Sequence, residues 1–149
     1  MTVRTELNTI ASHQGFQNTL EQINFAPVVD VLWSKHQWTP LQIKQGINQY
    51  KQLLFLLYCY PHEAIVPDRE TDQVIHAHIS TKDQYMADCE VLFNRALEHE
   101  QGFGTRGNID QLAWLYTFHR TQRRIAQQFH QEPTLWLHPA YCVLRPEPT

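Results

Sequence analysis

Apolar residues along this chain recur at three- and four-residue intervals, the spacing of one helix face, and no run of Val, Ile and Thr alternates as a half-buried strand would. The clearest stretch starts at Thr39-Pro40-Leu41-Gln42. Thr39 suits an N-cap, Pro40 the first helical position, and Gln42 the third, where its amide can close a capping box. Ile43, Ile47, Tyr50, Leu54 and Leu57 then form one stripe up to Tyr60, and Pro61 ends it. Upstream, residues 16–23 and 28–33 form two shorter helical patterns, with Pro27 beside the start of the second. Downstream, 68–80, 82–98 and 108–129 each carry helical periodicity. The stretch from Pro133 onward holds four prolines and is expected to lie extended against the surface, anchored by Trp136. The pattern predicts an all-α, single-domain bundle of about five or six helices, the longest over 40–60 and 109–129, without any sheet of three or more strands.

Composition narrows the possibilities without naming a function. A chain of 149 residues, 42% hydrophobic and 18% charged, is expected to be one globular domain over 1–149. The longest apolar run, Leu53 to Tyr60, is too short to cross a bilayer. The first ten residues include Arg4 and Glu6 and lack the apolar centre of a secretion signal. Three cysteines (Cys59, Cys89 and Cys142) are an odd number, so reduced, unpaired thiols and a cytoplasmic location are expected. A formal charge of −3 offers nucleic acid no general reason to bind. Arg120, Arg123 and Arg124 alone are a thin basis for such binding. Gly102, Gly104 and Gly107 fall in one segment that lacks the strand and the Lys-Ser/Thr of a phosphate loop, so a helix end plus a loop explains them better. Trp33 and Trp38 flank Lys35 and His36 and are expected to pack as an aromatic cluster between helices.

The unusual count is nine histidines, and the richest segment is Asp68 to Ile79. On a helix, Asp72 and His76 are four apart and stacked on one face, able to hydrogen-bond. His76 and His78 lie about 200° apart and cannot both point straight at one ion. In the next segment Tyr85, Cys89, Leu92, Ala96 and His99 share a face, with Asp88 at its margin. Were the two helices to fold as a hairpin about residues 80–82, Asp72, one of His76 or His78, Cys89 and His99 would converge. Such a donor set suits zinc, or iron held by a carboxylate and histidines. The candidate ligands are therefore Asp72, His76, His78 and His99, with Tyr85, Asp88, Cys89, His119 and Arg123 around them. Arg123 and His119 share the side of Leu112, Leu115 and Tyr116, from which Arg123 is expected to reach inward to Asp72 or Asp88; Arg120 and Arg124 fall on the solvated face. Against this stands the plain alternative, in which the histidines are satisfied core groups and the cysteines small hydrophobes. A Cys89–His99 nucleophile pair fails on one straight helix, where the two lie about 15 Å apart. Cys142, four residues after His138, lacks the paired spacing of a metal site.

The segment from Val66 to Gly104 resembles the glycine-rich domain-containing protein-like family, a helical domain of unknown function. The matching positions are Pro67, Asp72, His76, His78, Thr81, Tyr85, Asp88, Cys89 and His99. Later positions in place are Thr121, Phe129, Pro133 and Trp136, so the resemblance covers roughly 33–136. The chain departs from the pattern at Ile75, where tryptophan is usual, and at Ile125 and His130. The resemblance implies a helical fold and the Asp/His/Cys constellation, and it imports no activity.

Two functional expectations follow. In the first, the protein is a small helical one whose buried Asp/His constellation holds a divalent metal, zinc or iron. In the second, it is a non-catalytic interaction module with structural polar core residues. The partner is a small molecule or a protein in either case, with no membrane.

Overall fold

The computed structural model describes residues 3–133 and 137–146. Six helices account for most of them: α1 (Val3–Gln22), α2 (Ala26–Ser34), α3 (Pro40–Cys59), α4 (Arg69–Ser80), α5 (Asp83–Phe93) and α6 (Asn108–Phe129). Two short strands, β1 (Leu97–Gln101) and β2 (Cys142–Pro146), complete the fold. The all-α expectation therefore holds for the bulk of the molecule and misses a small antiparallel ribbon.

Local chemistry explains the helix starts. Thr39 Oγ1 accepts from the Gln42 N–H at 3.2 Å while Gln42 Oε1 accepts from the Thr39 N–H at 2.8 Å, the reciprocal pair that starts α3. At α4 the Asp68 carboxylate accepts from the Thr71 hydroxyl at 2.6 Å and the Thr71 N–H at 3.3 Å. Leu53, Leu54, Phe55, Leu56 and Leu57 are all buried, so the second half of α3 is covered on every side. It packs against α1, α2, α4 and α6, and is the centre of the core. No helix among the described residues is long and apolar enough to cross a membrane.

Four expectations are corrected. The first helix begins at Val3 rather than at 16, and it buries only Phe16 and Leu20. The helix expected over 82–98 stops at Phe93, where Asn94 takes a left-handed conformation (φ 57°), and the chain turns into β1. The tail forms β2, with Cys142, Val143 and Leu144 buried instead of lying on the surface. Trp33 is 58% exposed, while Trp38 packs against α3 at Gly46, where an added Cβ would lie 2.7 Å from the Trp38 ring. Trp136, the expected anchor, lies outside the described residues.

Strand register sets the candidate site. β1 and β2 pair antiparallel with His99 opposite Leu144 and Gln101 opposite Cys142. The chain from 138 to 144 also runs beside the segment leading into α4. Ile65 and Leu144 exchange backbone bonds at 2.9 and 3.0 Å, the Ala140 N–H donates to Pro67 O at 2.9 Å, and the Arg69 N–H donates to His138 O at 2.8 Å. These bonds bring β1, β2 and the first turns of α4 to one edge of the molecule.

Candidate metal centre

Asp72 and His76 stand one turn apart on α4, and β1 places His99 opposite them. His99 Nε2 lies 3.0 Å from Asp72 Oδ1, and His76 Nε2 lies 3.3 Å from Asp72 Oδ2. The two imidazoles meet edge to face with centroids 4.8 Å apart. One ligand atom from each of the three residues lies within 4.8 Å of the others. Around a tetrahedral zinc ion the separation between ligand atoms is about 3.4 Å, from zinc–nitrogen bonds of roughly 2.0–2.1 Å. The His76 side chain, 50% exposed, has room to close that gap, whereas His99 at 7% is fixed in place.

The carboxylate is prepared for a cation. Burial pushes the Asp72 carboxyl up. The hydrogen bonds from His99 and Cys142, with the charges of His76 and His99, outweigh that and hold it below the ordinary 3.8. The Cys142 thiol donates to Asp72 Oδ1 at 3.2 Å, and burial above all pushes that thiol's own pKa well up. Gln101, two residues after His99 on the same face of β1, brings its amide nitrogen to 3.1 Å from His76 Nε2 and 3.4 Å from His99 Nδ1. In any one tautomer His76 Nε2 either donates to the carboxylate or accepts from this amide, so it satisfies one of the two contacts. A cation shared by His76, His99 and Asp72 would take the Nε2 lone pairs, and Gln101 would then serve these rings through its amide oxygen rather than its nitrogen.

His78 has a different environment. Its Nδ1 lies 2.7 Å from the Tyr50 hydroxyl and its Nε2 2.8 Å from Asp88 Oδ2, and the side chain is 1% exposed. Gln84 Nε2 donates to the other Asp88 oxygen at 2.7 Å, while the rings of Phe25 and Tyr85 stand edge-on to the imidazole. Both ring nitrogens are therefore engaged, and no lone pair is left for an ion. Burial lowers the His78 pKa below 6.5, against the opposing hydrogen bond and charge of Asp88. Burial also raises Tyr50 well above its ordinary value, with smaller contributions from Tyr85, Cys89 and Asp88.

The structure thus brings Asp72, His76 and His99 together and places His78 with Asp88 and Tyr85 in a separate buried cluster. Tyr85 donates from its hydroxyl to Leu97 O at 3.3 Å. Cys89 is buried beside this cluster, and desolvation pushes its thiol to about 11. His119 and Arg123 are exposed on α6, so Arg123 does not reach inward to Asp72 or Asp88. The arginines expected in solvent are the half-buried ones. Arg124 pairs with Glu63 at 2.9 Å, and Arg120 donates to Ala64 O at 2.8 Å. All three cysteines are free.

Sequence reasoning missed Gln101 and Cys142. For Gln101 the signal was the alternation Leu97, His99, Gln101, overlooked in favour of a helical pattern. For Cys142 no local signal exists, because its place depends on its register opposite Gln101.

Fold and site together define a small, mostly helical protein with a two-histidine, one-carboxylate cluster at the junction of α4 and a β-ribbon. No family model, no curated protein and no solved structure matches this chain.

Proposed function

We propose that the protein binds one divalent transition-metal ion through Asp72, His76 and His99, with zinc the best fit and iron the second. The observation carrying this reading is the convergence of three ligand atoms within 4.8 Å across two separate elements. Two imidazoles and a carboxylate are a donor set used for both metals, and three protein ligands leave coordination positions open. An ion so held would supply Lewis acidity at the exposed His76 edge. Membership of the glycine-rich domain-containing protein-like family is part of the same proposal, supported by Asp72, His76 and His99 all being motif positions. A cytoplasmic location is proposed with it, on the strength of the free cysteines.

Protein purified without a polyhistidine tag should carry close to one equivalent of metal by mass spectrometry. His76→Ala and His99→Ala should each lose it. Stoichiometric metal retained in both variants, or a wild type that takes up no added zinc, overturns the reading.

A second reading, the helical interaction module, draws on a groove of about 870 Å³ between α2 and α3, lined by Val29, Trp33, Leu41 and Ile47. Trp33 and Leu41 are 58% and 63% exposed there. Apolar surface of this kind is a common protein-contact feature.

A further inference from the structure

The outer face of α6 carries a group of polar side chains unconnected to the candidate metal centre. Tyr116, Arg120, Arg123, Arg124 and Gln127 line a concavity of about 210 Å³. Their positions on the helix fall within an arc of about 100°. Every one of these side chains carries a hydrogen-bond donor, three are permanently charged, and none is an acid. Glu63 is the carboxylate that pairs with them, 2.9 Å from Arg124 Nη2 and 3.8 Å from Arg120 Nε. One carboxylate against three guanidiniums leaves a local excess of positive charge in a chain whose formal charge is −3.

Two of the guanidiniums are held before any ligand arrives. Arg120 donates to Ala64 O at 2.8 Å, and Arg124 lies over the Tyr60 ring at 4.4 Å from its centroid. Such fixing lowers the ordering cost of binding. Arg123, exposed on the same face, completes the set. Guanidiniums bind phosphate oxygens through paired, charge-assisted hydrogen bonds, which a single ammonium cannot match. The concavity is large enough for a phosphate with part of the molecule that bears it, and its five lining residues, all on α6, are a small patch beside the roughly 600–1,000 Å² that a single nucleic-acid module buries. We propose that this face of α6 binds the phosphate group of a small phosphorylated molecule through Arg120, Arg123 and Arg124.

The test uses pyrophosphate, titrated into the metal-free full chain by calorimetry so that no metal can hold the anion. Saturable one-site binding is expected, weakened about tenfold in Arg123→Gln by loss of one charged donor. Because Arg123 is exposed, that variant should fold as the wild type does, checked by its melting curve. Arg69→Gln, an exposed arginine on α4, should bind as the wild type does. No saturable binding, or equal binding by Arg123→Gln, overturns the proposal. A single-stranded oligonucleotide that binds more tightly than pyrophosphate at equal phosphate concentration overturns the small-molecule assignment.

Discussion

His76 and His78 sit two residues apart on α4 and have opposite fates. His78 points into the core, where Tyr50 and Asp88 take both ring nitrogens and the side chain is 1% exposed. His76 points to the edge, 50% exposed, where it shares Asp72 with His99 and has an amide nitrogen and a carboxylate oxygen in contact with one ring atom. The first cluster is closed: each polar group has its partner, and it ties α3, α4 and α5 together. The second is open: its groups converge without all being satisfied. Buried polar networks contribute to a unique fold when complete. A convergent, incompletely satisfied one at the surface is where a ligand has something to gain. Identical side chains on one helix thus divide into structure and candidate function by what surrounds them.

The comparison breaks most visibly at His78. His78→Ala leaves Asp88 buried without its partner and should cost about 3–5 kcal/mol in urea unfolding, the range for removing one member of a buried pair. A loss below about 1 kcal/mol would mean that the cluster contributes little. Acid should act through the same residue. Its folded pKa lies below the unfolded value near 6.5, so the unfolded chain takes up the proton first. The stability His78 contributes is therefore present above pH 6.5 and is lost as pH falls from there toward the lower folded value. A stability profile that is flat between pH 7.5 and pH 5.5, or equally steep in His78→Gln, would contradict this.

Effects at the open cluster are smaller and concern the metal more than the fold. Cys142→Ala removes the thiol donor from Asp72 and should weaken zinc affinity about tenfold, the usual scale for a supporting hydrogen bond to a ligand. Cys142→Ser keeps a donor and should recover most of that affinity. Equal affinities in the wild type and both variants would remove Cys142 from the site. His76→Ala in metal-free protein should change stability by only about 0.5 kcal/mol, as exposed substitutions do. A loss as large as that of His78→Ala would erase the distinction between the two histidines.

Much of this was legible in the chain itself. Thr39 and Gln42 announced α3, because a cap is a local device whose partners lie three residues away; the Asp68 cap of α4 has the same local form but was not read from the chain. The four-residue spacing of Asp72 and His76 gave their contact, while His78 stood among the candidate ligands with His76 even though the two, about 200° apart, cannot both point straight at one ion. Which histidine faces inward was not legible, since that depends on Tyr50 from α3 and Asp88 from α5. The step from helix to strand after Asn94 was hidden for a related reason. Leu92, Ala96 and His99 fit a helical stripe, and the ribbon exists only because β2 supplies a partner more than forty residues later. Arg123 and Arg124 differ by 100° around α6, so a modest error in the helix's orientation exchanged the exposed and half-buried arginines.

Anomalous diffraction at the zinc edge from a zinc-soaked crystal tests the central claim most directly. The account predicts one peak bound by His76, His99 and Asp72, at about 2.0–2.2 Å from a ligand atom of each, and no peak at His78. A peak bridging His78 and Asp88, or an empty map around Asp72, would contradict it.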